Sequence, residues 1–239
     1  MKDSTVGFKD SKRLTQWVKI FLYAQIIVAI ISLLTTGLEY KFLYDVQNGV
    51  YTSQEMAVSD GEASDFRQNI VLSLYLIVIL ISAFFILRWI HRANYNAKQL
   101  GAENMNFTPG WSIGFYFIPI LTLWKPYQAM REIWQTSKTS ENWMIEEPSW
   151  LLPIWWTLWL ISNFLGRVIY RMSSSAEEIH QMMDVNLLHQ LSNVLDILLA
   201  MSLFMIVDRI HKMQSNRHES NKSVIDESQV SLIQDRELI

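Results

Sequence analysis

Asp196 is the residue whose type and position are best suited to chemistry. It interrupts a stretch between Asp184 and Asp208 that is otherwise free of acidic and basic charge. His189, Asn193 and Asp196 recur at i, i+4 and i+7, so a helix sets all three on one face with Ser192 alongside. A carboxylate and an imidazole on one face could pass a proton or hold a cation. Reflecting the chain about Glu178, in the turn that precedes this run, sets Arg167 level with His189 and Asn163 level with Asn193. Two readings follow. One is a relay through Asp196, His189 and Arg167, with Gln25, Ser32, Ser73 and Ser82 extending a polar path. The other is interhelical polar glue, including an Asn163–Asn193 hydrogen bond worth roughly 0.6 kcal/mol.

Other chemistries find less support. Glu177, His180 and Asp184 share a face at i, i+3 and i+7, which is half of a di-iron carboxylate motif without its second half. His91 and His211 stand at the ends of apolar runs, not inside them. No metal and no cofactor is therefore expected. No Gly-x-Ser-x-Gly, His-Glu-x-x-His or phosphate loop is present, so no catalytic residue is nominated. The chain has no cysteine, which excludes disulfides, thiolate metal sites and cysteine nucleophiles.

The elements that must carry Asp196 are apolar runs. Ile20–Leu38 is 19 residues without charge, Gln68–Leu87 is 20 and Pro148–Gly166 is 19. With the run around Asp196 these make four, each near the ~20 residues a helix needs to cross a bilayer. The expected fold class is all-α, a polytopic transmembrane helical bundle of four spans plus a short, Pro-broken re-entrant or interfacial element at 109–134. The membrane domain is read as 1–212, with spans at about 18–38, 68–90, 150–170 and 185–207. The loop 39–67 is expected outside the cell, and 213–239 as a disordered cytoplasmic tail. A carboxylate at mid-bilayer costs about 2.5–3.5 kcal/mol, so Asp196 must face the bundle interior or be protonated.

Net charge is only −3, but its layout is lopsided. Leaving out Lys19 and Arg167, 15 Lys and Arg fall on the proposed inner side and 3 on the outer. Both termini are therefore expected in the cytoplasm. That topology bears on Ile113–Trp124, an apolar run of 12 residues containing Pro119. It is short for a span, and an even number of crossings leaves it none to make.

All five Pro and eight of the ten Trp lie between Pro109 and Trp159, as an interfacial aromatic belt with helix breaks would have them. Within that region Phe-Thr-Pro-Gly-Trp is turn chemistry, with Pro109 fixing φ and Gly110 free to adopt positive φ. From Pro126 onward, Tyr127, Met130, Ile133 and Trp134 form one apolar helical stripe, with Lys125, Arg131 and Glu132 on other sides. Such a helix either lies on the inner leaflet or packs against the bundle.

Residues 92–134 carry a longer pattern. It runs Asn96-Ala97, Leu100-Gly101, Phe107-x-Pro109-Gly110-Trp111, Gly114 and Ile118-Pro119. It continues with Leu123-Trp124-x-Pro126-Tyr127, Met130, and Glu132 with Trp134. This resembles the bacterial membrane family catalogued as domain of unknown function 4328, over roughly residues 70–205. Thr122 departs from the pattern, where Asn is expected. The resemblance implies a membrane location and a bacterial origin, and it implies no chemistry.

The expected function is a non-enzymatic scaffold, sensor or interaction protein of the bacterial cytoplasmic (inner) membrane. The alternatives are a small-solute or proton-coupled permease using the mid-membrane carboxylate, since discontinuous helices line transport sites, and thirdly a membrane-embedded enzyme. Expected partners are the lipid bilayer, its anionic inner-leaflet lipids, and a second copy or another membrane protein; nucleic acid is not expected. A cysteine introduced at Ser140 should resist an impermeant maleimide added to intact cells. Labelling from outside would mean that 113–124 crosses the membrane.

Overall fold

The computed structural model describes residues 7–139 and 143–237, with side chains described as far as 224. Ser140, used above, lies outside the described residues. The elements are α1 (Lys12–Gln47), α2 (Gln54–Gln99), α3 (Pro109–Gly114), α4 (Lys125–Lys138), α5 (Leu151–Ser173) and α6 (Ile179–Glu237). Short 3-10 turns cover Phe115–Phe117, Ile120–Leu123 and Trp143–Ile145. No strand occurs among the described residues.

The long helices overrun the apolar runs that nucleate them. α1 is 36 residues and α2 is 46, because their charged flanks contain good helix formers and only a turn residue stops them. The two stops share one device. Gly49 has φ +66° and Gly101 has φ +93°, the left-handed region that glycine reaches without Cβ strain. At the first, Gly49 N donates to Val46 O and Val50 N to Asp45 O; at the second, Gly101 N donates to Lys98 O and Ala102 N to Ala97 O. Both are Schellman closures. Most of the expected loop 39–67 is accordingly helical, and the connection between α1 and α2 is only 48–53. At the other end of the chain, α6 continues without a break through residues 213–237, where a disordered tail was expected. An Asp208–Lys212 pair of 2.8 Å at i, i+4 supports its passage out of the apolar run.

Among the described residues, α1, α2 and α6 are long and apolar enough to cross a membrane. The four expected spans thus meet three helices that qualify. α5, at 23 residues, has the length but not the apolarity: Trp155, Trp156 and Trp159 each carry an N–H, and Ser162, Asn163 and Arg167 break the run. Only 11% of the most apolar window of α2 is buried inside the chain, an apolar surface far too extensive to face water.

Pro109–Lys138 is not one broken helix. Thr108, extended at ψ 159°, caps α3 by accepting from Trp111 N at 3.2 Å, and Pro109 opens the helix. Gly110 is therefore helical and does not take positive φ; the stretch read as a turn is a helix start. The left-handed residue is instead Ile120, at φ +39° after Pro119, a strained conformation for a β-branched side chain.

The chain divides into two compact units. Unit 1 comprises residues 1–18, 85–153 and 205–239; unit 2 comprises 19–84 and 154–204. In unit 2, α5 and α6 meet through buried Leu165, Ile169 and Val185, with Met172, Leu188 and Leu195 packed around them.

Candidate functional site

Unit 2 holds the groove that contains Asp196. It has a volume of about 640 Å³. α2 supplies Tyr75 and Ile79, and α6 supplies Ser192, Asp196 and Leu199 at i, i+4 and i+7. α5 contributes Asn163, Gly166, Arg167 and Arg171 among others. Three of the five residues nominated from sequence, Asp196, Asn163 and Arg167, are thus brought together. His189 and Asn193 are not: the stripe of α6 that lines the groove is Ser192–Asp196–Leu199, about one residue round the helix. Asn193 is buried outside the groove. Asn163 Nδ2 donates to Trp159 O within its own helix at 2.7 Å, so the anticipated Asn163–Asn193 bond is replaced by a local one.

Asp196 Oδ2 accepts from the Tyr75 hydroxyl at 3.4 Å, a long contact. Tyr75 was missed because a tyrosine in an apolar run carries no spacing signal; which helix face meets which is decided by packing. The polar glue of this unit lies nearer Asn186. Its Nδ2 donates to Thr36 O at 3.0 Å and to Glu39 Oε2 at 2.9 Å, while its Oδ1 accepts from Gln190 Nε2 at 2.8 Å. Asn186 and Gln190 are at i, i+4, so the same helical reading could have found them. His180 pairs with Glu178 at 3.1 Å, and Glu177 N donates to Gln181 Oε1 at 2.9 Å.

Unit 1 holds the longer motif, and there buried polar side chains hold the backbone. Glu132 is only 3% exposed. Its Oε2 accepts from Asn106 N at 2.8 Å and Asn106 Nδ2 at 2.9 Å, and its Oε1 accepts from Phe107 N at 3.0 Å. Phe107 O accepts from Asn94 Nδ2 at 3.2 Å, so the N–H and C=O of Phe107 are tied to α4 and α2 respectively. Asn96 grips the segment before α1: it donates to Lys9 O and Ser11 Oγ and accepts from Lys9 N. From α6, Gln214 Nε2 donates to Ala93 O and Ser137 Oγ. Arg217 donates to Thr136 O at 2.6 Å and Leu100 O at 2.9 Å. Arg217 lies ten residues beyond the expected span 185–207, and burial pushes its pKa below the usual arginine range.

The motif positions divide cleanly. Ala97, Leu100, Phe107, Pro126, Met130 and Trp134 are buried, together with Asn96 and Glu132. Trp111, Leu123 and Trp124 are exposed, as are Gly101, Gly110 and Pro119; Gly114, Ile118 and Tyr127 are intermediate. Of the stripe on α4, Met130, Ile133 and Trp134 are core. Glu132, assigned to an outer side, is core as well, because its carboxylate has amides to meet. Residues 53–212 match the family described as Domain of unknown function (DUF4328). The chain belongs to that family. No curated protein and no solved structure matches it. In this DUF4328 chain, the buried half of the motif builds a scaffold and the exposed half forms its surface.

Glu132→Gln keeps the shape but turns a donor toward the N–H groups of 106–107. It should cost about 1.5–3 kcal/mol, read as a lower unfolding midpoint by tryptophan fluorescence in detergent. The exposed neighbour substitution Arg131→Gln should shift stability by less than about 0.5 kcal/mol.

Proposed function

We propose that the chain is a bacterial inner-membrane protein with four spans and both termini in the cytoplasm. In this reading it is a non-catalytic interaction scaffold or sensor whose segment 109–124 rests in the inner-leaflet interface. One observation carries this: Trp111, Phe117 and Ile120 are 53%, 72% and 71% exposed on a segment anchored beside the Glu132–Asn106 bonds. An apolar, aromatic edge on a well-fastened mount suits the headgroup region, where an indole meets both hydrocarbon and water. The pieces of this segment are six, three and four residues long, which favours lying in the interface over dipping through it. Lys125, close over the rings of Phe107 and Phe115, and exposed Arg131 supply positive charge for anionic lipids. The four-span topology is supported by the 15-to-3 distribution of Lys and Arg, with α5 as the Trp-rich span beside three more apolar ones.

A nitroxide on Phe117→Cys, the sole cysteine, should in liposomes be relaxed by oxygen and protected from a water-soluble nickel chelate. Relaxation by nickel would place the segment in water and sink the interfacial reading.

A second reading, a proton-coupled or small-solute permease, is favoured by the groove that Asp196 shares with Arg167. Under it, Asp196→Asn should abolish proton or solute flux in proteoliposomes, whereas the scaffold reading expects flux of the wild type no greater than that of empty vesicles.

A further inference from the structure

The groove of unit 2 carries an imbalance that the readings above leave unused. Arg167 and Arg171 are one helical turn apart on α5, about 6 Å along its axis, and both line it. Neither guanidinium has a hydrogen-bond or ion-pair partner among the described residues. Their only acidic neighbour in the groove is Asp196, whose Oδ2 is already turned to Tyr75. Two cations against one carboxylate leave the groove cationic. Unpaired guanidinium at the edge of a hydrocarbon layer is costly, and its planar fork suits a phosphate oxygen pair. The remaining wall mixes Ser162, Asn163 and Ser192 with apolar Ile79, Trp159 and Leu199, and a small hydrophilic anion would leave that apolar part unused.

We propose that this groove binds a membrane glycerophospholipid, with the phosphodiester on Arg167 and Arg171 and a headgroup hydroxyl or ammonium on Asp196. The volume of about 640 Å³ is within the range of small-molecule sites and accommodates a headgroup with the first part of its chains. A carboxylate in the same site selects for a headgroup that brings a donor beside its phosphate, since a charged Asp196 covered by a headgroup without one would lose its hydration without compensation. Gly166, beside Arg167, leaves the groove open: a Cβ there would meet nothing within 4 Å beyond its own helix. The proposal is independent of the interfacial role of 109–124.

The full chain in detergent, titrated with single lipids and read by native mass spectrometry, tests it. Phosphatidylglycerol and phosphatidylethanolamine should bind more tightly than phosphatidylcholine, whose headgroup has no donor. Arg167→Gln with Arg171→Gln should weaken phosphatidylglycerol roughly tenfold, the scale of one lost charge-assisted pair. Gly166→Leu should weaken it as much, by filling space that no protein atom occupies, and it raises helix propensity, so folding is retained. Asp196→Asn should erase the preference over phosphatidylcholine. Unchanged binding in either the arginine or the glycine variant overturns the site. Displacement by excess sodium phosphate overturns the lipid and assigns the groove to a free anion. Equal binding of phosphatidylcholine by the wild type overturns the role of Asp196.

Discussion

Glu132 brings a carboxylate into a place almost closed to water, and the most patterned part of the chain is arranged around satisfying it. A buried carboxylate without donors is untenable, so something must present N–H groups to it. Asn106 does so twice and Phe107 once. That requirement holds 106–107 against α4, and Asn94 holds Phe107 against α2. Once Phe107 is tied, Thr108 is free to cap α3 and Pro109 to open it. The apolar edge that follows is therefore mounted on a backbone with little freedom to move. Asn96, Gln214 and Arg217 act in the same way, each donating to main-chain oxygens of unit 1.

Charge spacing made the fold class and the cores of the helices legible. Nineteen or twenty uncharged residues between ionic ones is a strong statement about hydrocarbon, and α1, α2 and α6 follow it. What spacing could not give was where the helices end. Lys41, Asp45, Glu55 and Glu62 are as comfortable in a helix as in a loop, and the ends wait for Gly49 and Gly101, where the backbone must turn left-handed. Gly110 shows the limit of the same reasoning. Next to a proline it reads as a turn glycine, yet Thr108 ahead of the pair converts the dipeptide into a helix start. The decisive residue lay one position earlier than the pair that drew attention.

The Asp196 site was legible in part for a related reason. Helical periodicity grouped Asp196 with His189 and Asn193, and the reflection about Glu178 set Arg167 and Asn163 of α5 level with those two; the groove holds Asp196, Arg167 and Asn163 without His189 or Asn193. Periodicity could not choose between two adjacent stripes of α6, 189–193–196 and 192–196–199, because both contain Asp196. Nor could it bring in Tyr75, from a helix distant in sequence whose rotation is set by apolar packing. The tyrosine hydroxyl is the donor nearest the carboxylate, and its participation became visible only with the helices in place.

Two features look unrelated: the aromatic edge of 109–124 and the unpaired arginines of the groove. Each is a set of side chains held in position with surface that the chain leaves exposed. For an apolar ring, water is the wrong neighbour; for a guanidinium beside Ile79, Trp159 and Leu199, a purely apolar one is. A lipid molecule answers both, hydrocarbon and headgroup boundary for the rings, phosphate for the cations. In unit 1 the backbone of 106–107 is held by side chains of the chain itself, whereas the exposed rings and the guanidinium groups are left open to a partner beyond the chain.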